Sequence, residues 1–184
     1  MTARKLLIAA MVAAIAAPAT ASTVTIIGNG SARACYEAAD SPLAPDAGDL
    51  QVCDTALRDG GLTMHDVVAT HVNRGILRLR QDQIDLALQD FDTAIRLDPT
   101  EPEAYLNKGA ALMRTDNARD ALPLFTASLE RNTARPELAH FGRAMANETL
   151  GNVREAYNDY RRASELRPGW QEPLVELQRF RIVR

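Results

Sequence analysis

Three histidines (His65, His71 and His140), two cysteines (Cys35 and Cys53) and 24 carboxylates are the groups with which this 184-residue chain could do chemistry. A helix that offers two ligands to one metal ion places them at i and i+4. His65 and His71 are six apart, so no metal site is expected. No serine or cysteine sits in a nucleophile elbow or beside an obvious base, which leaves nucleophilic catalysis without a motif. The "GNG" of residues 28–30 lacks the preceding strand and the full glycine spacing of a phosphate-binding loop. The carboxylates are scattered along helical stretches, where such charges ordinarily face water. Binding is therefore expected rather than catalysis, with no cofactor.

The elements that must position these groups are helices. Ala87, Phe91 and Ala94 fall at i, i+4 and i+7, one face of a helix. The stretch before it, "HDVVATHVNRGILRLR", carries Val68, Val72, Gly75 and Leu79 on another stripe, with Thr63 as N-cap and Asp66 three residues later. The break falls near "RQDQ". Small residues at Gly75 and Ala87 let two helix backbones approach, Phe91 fills the space beside them, and Ala94 admits the next helix. Such a hairpin cannot bury its apolar face alone, and stacked copies solve that problem.

The spacing recurs in "ALPLFTASLERNT" (Ala121 to Thr133) and "AYNDYRRASELRP" (Ala156 to Pro168). These residues resemble the tetratricopeptide repeat, a 34-residue helix-turn-helix. Counting Val68 as position 1, the family's small position 8 is Gly75, Gly109 and Ala144; position 20 is Ala87, Ala121 and Ala156; position 24 is Phe91, Phe125 and Tyr160; position 27 is Ala94, Ser128 and Ala163. Pro99 and Pro168 close the first and third units. Thr133 stands where the middle unit would have its proline, one residue is inserted around Arg135–Pro136, and the large residue at position 4 is His71, Tyr105 and His140. The matching places of His71 and His140 give both one explanation, packing. The resemblance implies an all-α right-handed superhelix with three units, about residues 68–101, 102–135 and 137–170, inside a repeat region of 63–170.

Residues 22–62 form an extension and a degenerate hairpin cap. A helix from near Ser31 is stopped by Ser41–Pro42, and a second begins near Gly48–Asp49 and ends at Gly60–Gly61. In that antiparallel pair Cys35 and Cys53 come level, which suits a disulfide that closes a loop of roughly 18 residues and stabilises by about 3 kcal/mol. Two buried thiols are an alternative. A redox pair is another, though C-x-x-C spacing is absent. At the other end, residues 171–184 form a capping helix from near Pro173 that presents Leu174, Leu177 and Phe180 to the last repeat and a polar face outward, with Trp170 at the junction.

The resemblance also implies a groove lined by the first helix of each unit. Its residues here are Val72, Ile76, Leu79 and Arg80, then Leu106, Ala110, Met113 and Arg114, then Phe141 and Met145. An apolar floor with two stacked arginines suits an amphipathic helix or an extended peptide with a carboxylate. Equally, several of these side chains pack between helices or lie under a terminal segment. The subtype that clamps chaperone tails has Lys and Asn where Val72 and Ile76 stand, which disfavours that ligand.

Residues 1–21 order Arg4 and Lys5, an apolar run from Leu6 to Ala17, and Ala19-Thr20-Ala21, as a secretory signal peptide does, with cleavage after Ala21. Twelve apolar residues are fewer than the ~20 a spanning helix needs, so no stable membrane insertion is expected after cleavage. Without Arg4 and Lys5 the 21 basic residues fall to 19 against 24 acidic, a balance that argues against nucleic acid. The expected protein is a periplasmic binder of a peptide or protein partner, an adaptor or assembly factor of the cell envelope. A self-associating subunit, joined through its outer helices or the "TVTII" segment, is the first alternative, and an unrecognised enzyme or metal-binding protein is the second.

Overall fold

The computed structural model describes residues 30–180. The expected signal peptide and cleavage point, the rest of residues 22–29 and residues 181–184 lie outside the described residues. Among the described residues every regular element is helical: α1 (Gly30–Asp40), α2 (Ala47–Asp59), α3 (Met64–Arg80), α4 (Ile84–Leu97), α5 (Pro102–Arg114), α6 (Ala118–Glu130), α7 (Pro136–Thr149), α8 (Val153–Leu166) and α9 (Gln171–Leu177). The pairs α3/α4, α5/α6 and α7/α8 stack in chain order, α1 and α2 both pack on α3, and α9 packs on α8. The first helix α5 also touches both α3 and α7, so the three share one side of the stack. No described helix is long and apolar enough to cross a membrane.

The small and aromatic positions make the contacts their spacing implies. Ala87, Ala94, Ala121, Ala156, Ala163, Phe91 and Phe125 are wholly buried, and Tyr160 nearly so. A Cβ added at Gly75 would lie 2.5 Å from Phe91 Cε1, so only glycine lets α3 meet that ring. At Gly109 the same contact to Phe125 is 3.0 Å, and Ala144 fills the equivalent place in the third unit. The turns within units reverse through Asp82 (φ 64°) and Asp116 (φ 59°), and through Gly151 (φ 84°) in the third. Aspartate tolerates this left-handed region better than most side chains, and glycine adopts it freely.

Thr63 caps α3, its Oγ1 accepting from the Asp66 N–H at 3.1 Å. In the cap hairpin the N-cap is Asp46, ahead of the expected Gly48–Asp49: Asp46 Oδ1 accepts from the Gly48 and Asp49 N–H groups, and Asp49 Oδ2 accepts from the Asp46 N–H. That reciprocal box satisfies donors that a helix start leaves open. Cys35 and Cys53 are joined by a disulfide across α1 and α2, with Cα atoms 4.8 Å apart. Pro123 lies in the second turn of α6, where it removes one backbone hydrogen bond.

The C-terminal cap differs from expectation. Pro173 and Glu176 point inward, Leu177 and Phe180 are partly buried against the core, and Leu174 and Val175 are 39 % and 52 % exposed. The rotation follows from polar chemistry: Arg179 pairs with Glu176 and, at 2.6 Å, with Glu148 of α7, which draws Glu176 onto the stack. Phe180 meets the edges of Tyr157 and Tyr160, and Trp170 packs on Phe141 with ring centroids 4.8 Å apart.

Candidate functional site

The groove positions lie on α3, α5 and α7, and their side chains are more enclosed than an open floor. Val72, Ile76, Leu79, Leu106, Ala110, Met113, Phe141 and Met145 retain 0–7 % of their surface. Val72, Ile76 and Leu79 belong to one apolar cluster with Cys35, Ala39 and Cys53; the other five belong to a second with Trp170. Half-buried residues on the same helices are Ala69 and Asn73 on α3 and Glu103 on α5.

The two arginines are not free cations awaiting a carboxylate. Arg80 donates from Nη1 to the Ala39 carbonyl at 3.3 Å and from Nη2 to the Leu43 carbonyl. Arg114 donates to the Leu79 carbonyl and, at 2.6 Å, to Asp82 Oδ1. Each guanidinium thus closes the C-terminal end of the preceding first helix, α1 for Arg80 and α3 for Arg114. The last carbonyls of a helix have no partner within it, and a cation there also meets the negative end of the helix dipole. Burial lowers the pKa of Arg80, with the Asp49 charge acting the other way.

Charges that the sequence suggested were solvated form two buried clusters instead. Asp90 on α4, its side chain 2 % exposed, faces His71 Nδ1 at 2.9 Å and accepts from Arg74 Nη2 at 2.6 Å, Arg74 Nε at 3.0 Å and Arg78 Nη1 at 2.7 Å. Arg74 also reaches Asp54 of α2 at 2.7 Å, which ties the cap to the first repeat. Asp159 on α8 repeats the arrangement with His140 Nδ1 and both Arg143 donors, all at 2.8 Å. Burial alone would raise both aspartate pKa values. The hydrogen bonds from histidine and arginine, with the arginine charges, overcome it and hold both below the ordinary carboxylate value. The signal was present in the sequence: His, then Arg three on, then Asp nineteen on, twice, 69 residues apart. In the middle unit those places hold Tyr105, Lys108 and Leu124.

Among the described residues no group of three His, Cys, Asp or Glu side chains could hold a metal ion. His65 is exposed and 3.7 Å from Asp66, far along α3 from His71.

Two sequence models of one repeat match the chain, "TPR repeat" over residues 75–116 and "Tetratricopeptide repeat" over 110–169, together just over half of its length. The chain belongs to the tetratricopeptide-repeat family. No curated protein matches it. Solved structures of the family share its fold. MamA 41-end from Desulfovibrio magneticus RS-1 is 18 % identical with a TM-score of 0.65, over 81 % of this chain and 82 % of that one. The first TPR of Spaghetti (RPAP3), bound to the HSP90 peptide SRMEEVD, is 24 % identical with a TM-score of 0.58, over 61 % and 88 %. YrrB, described as a TPR protein with an unusual peptide-binding site, is 20 % identical with a TM-score of 0.58, over 71 % and 64 %.

Proposed function

We propose that this tetratricopeptide-repeat protein is an exported, periplasmic interaction module that holds a segment of a partner protein against the side formed by α3, α5 and α7, as an adaptor or assembly factor of the cell envelope. The observation that carries this reading is the continuous face of three first helices, on which Ala69, Asn73 and Glu103 keep accessible surface. Peptides bound by family members of the same fold support it. Export is supported by the order of basic, apolar and small residues in 1–21 and by a disulfide, which suits an oxidising compartment. Val72 and Ile76 in place of a clamp's Lys and Asn, and arginines committed to helix ends, favour a ligand other than an acidic chaperone tail.

Leu79 and Met113 are too buried to serve as surface probes, because a charge there would unfold the unit. The test therefore uses Ala69→Arg/Asn73→Arg. Crosslinked capture from cell-envelope extract should recover a partner with the native protein and lose it with this variant at unchanged helicity. Equal capture by both would remove the face from the reading, and fractionation of cells tests export directly.

A further inference from the structure

Seven large apolar side chains are exposed among the described residues, and four of them, Leu150, Val153, Leu174 and Val175, lie in the last unit and α9. α9 packs on α8 as each first helix packs on the second helix before it. On its far side Gln171, Leu174, Val175 and Gln178 are exposed at i, i+3, i+4 and i+7, the spacing by which a helix offers one stripe to a neighbour. That stripe carries no charge, and Val175 keeps 52 % of its surface. The end of a helical stack ordinarily turns a polar face to water, because an apolar one invites another unit.

The charge at the two ends of the stack is opposite. Residues 150–184 hold seven arginines against five carboxylates, whereas residues 30–63, with the cap hairpin, hold two against six. On α8, Arg161 and Arg162 are both more than half exposed and share the one carboxylate of Glu165, while Asp159 is engaged inside the stack by His140 and Arg143. The cap in turn exposes Glu37 and Asp59, and its α1–α2 loop leaves Leu43 74 % exposed. A basic end with an apolar stripe thus has its complement on the same molecule, at the far end, which favours a second copy over an anionic membrane as its occupant.

We propose that the α8/α9 end of one copy docks on the α1/α2 cap of the next, so that copies of this protein join head to tail. The contact lies apart from the face of α3, α5 and α7 and does not depend on the groove reading. Either end against itself sets like charges together, so the charges fix the orientation. One patch meets a different patch, so the row of copies lengthens instead of stopping at two. Sedimentation velocity of the purified protein should show an average mass that rises past the dimer between micromolar and millimolar concentration and falls back in about 0.5 M salt, where exposed charges are screened. Val175→Asp and Arg161→Glu/Arg162→Glu should each weaken association about tenfold at unchanged helicity. Mixing Arg161→Glu/Arg162→Glu with Glu37→Arg/Asp59→Arg should restore association that neither variant shows alone, because each then complements the other. Ala69→Arg/Asn73→Arg, altered on the groove face, should associate as the native protein does. A monomer at every concentration, a mass that stops at the dimer, association left intact by both end variants, or a mixture that stays monomeric overturns the proposal. Retention on phosphatidylglycerol vesicles that Val175→Asp abolishes, with no self-association, overturns it in favour of a lipid surface.

Discussion

Replacing Asp90 by Asn tests whether the buried charge cluster holds the first repeat together. The carboxylate is 2 % exposed and neutralises Arg74 and Arg78, whose side chains are 16 % and 17 % exposed. Removing one partner of a buried pair costs about 3–5 kcal/mol when the remaining charge is fully enclosed. Here Arg74 keeps Asp54, and both arginines reach some water, which brings the expected loss to about 2–4 kcal/mol. Asp159→Asn, with one arginine and a more exposed carboxylate, should lose about 1–3 kcal/mol. Urea titration followed by circular dichroism reads both. The pH dependence gives a second check. Asp90 has a folded pKa below its unfolded value, so its stabilisation is present above about pH 4 and is lost as pH falls through the folded pKa. The gap between native protein and Asp90→Asn should accordingly narrow below about pH 4. A single-site loss under about 0.5 kcal/mol at pH 7, the level of an ordinary surface change, or a gap independent of pH, would refute the reasoning.

Three further outcomes follow from the packing, the turns and the crosslink. Gly75→Ala should destabilise by about 1–3 kcal/mol, because the new Cβ meets Phe91 at 2.5 Å, whereas Gly109→Ala, at 3.0 Å, should be milder because alanine's helix propensity offsets part of the clash; thermal melts rank the two. Asp116→Gly should raise stability by up to about 1 kcal/mol in urea titration, since an exposed residue at φ 59° is relieved of a Cβ; a decrease would show that the carboxylate contributes to the turn. Cys35→Ser/Cys53→Ser should lose about 3 kcal/mol, and amide hydrogen exchange should show α1 and α2 opening first; uniform protection across all helices would mean that the cap does not depend on the crosslink.

The stacking was legible in the sequence because steric rules repeat. A small residue facing an aromatic ring admits few substitutes, so Gly75 with Phe91 and Gly109 with Phe125 announce themselves by spacing. The site was less legible because its polar groups break default expectations. A carboxylate on a helix usually faces water, so Asp90 and Asp159 looked solvated, and only the 69-residue recurrence of His, Arg and Asp carried the contrary signal. Arg80 and Arg114 were correctly placed on successive first helices, yet their spacing cannot show that the Ala39, Leu43 and Leu79 carbonyls compete for them. In the C-terminal cap Leu177 and Phe180 pack where the apolar stripe places them, whereas Leu174 is turned outward for a related reason, the Arg179 pairs with Glu148 and Glu176 that hold Glu176 against the stack.

The distribution of buried polarity separates the middle unit from its neighbours. In the first and third units an aspartate on the second helix ties the first helix through histidine and arginine, so every buried charge has a partner. The middle unit has an apolar Leu124 at that place, a Lys108 that pairs instead with Asp92 of α4 in the unit before, and Pro123 in its second helix. It also carries all three described buried side-chain oxygens without a hydrogen-bond partner, Glu103 Oε2 (ion-paired with Arg135), Asn107 Oδ1 and Ser128 Oγ. Each such group leaves part of its desolvation cost uncompensated, whereas a saturated network does not.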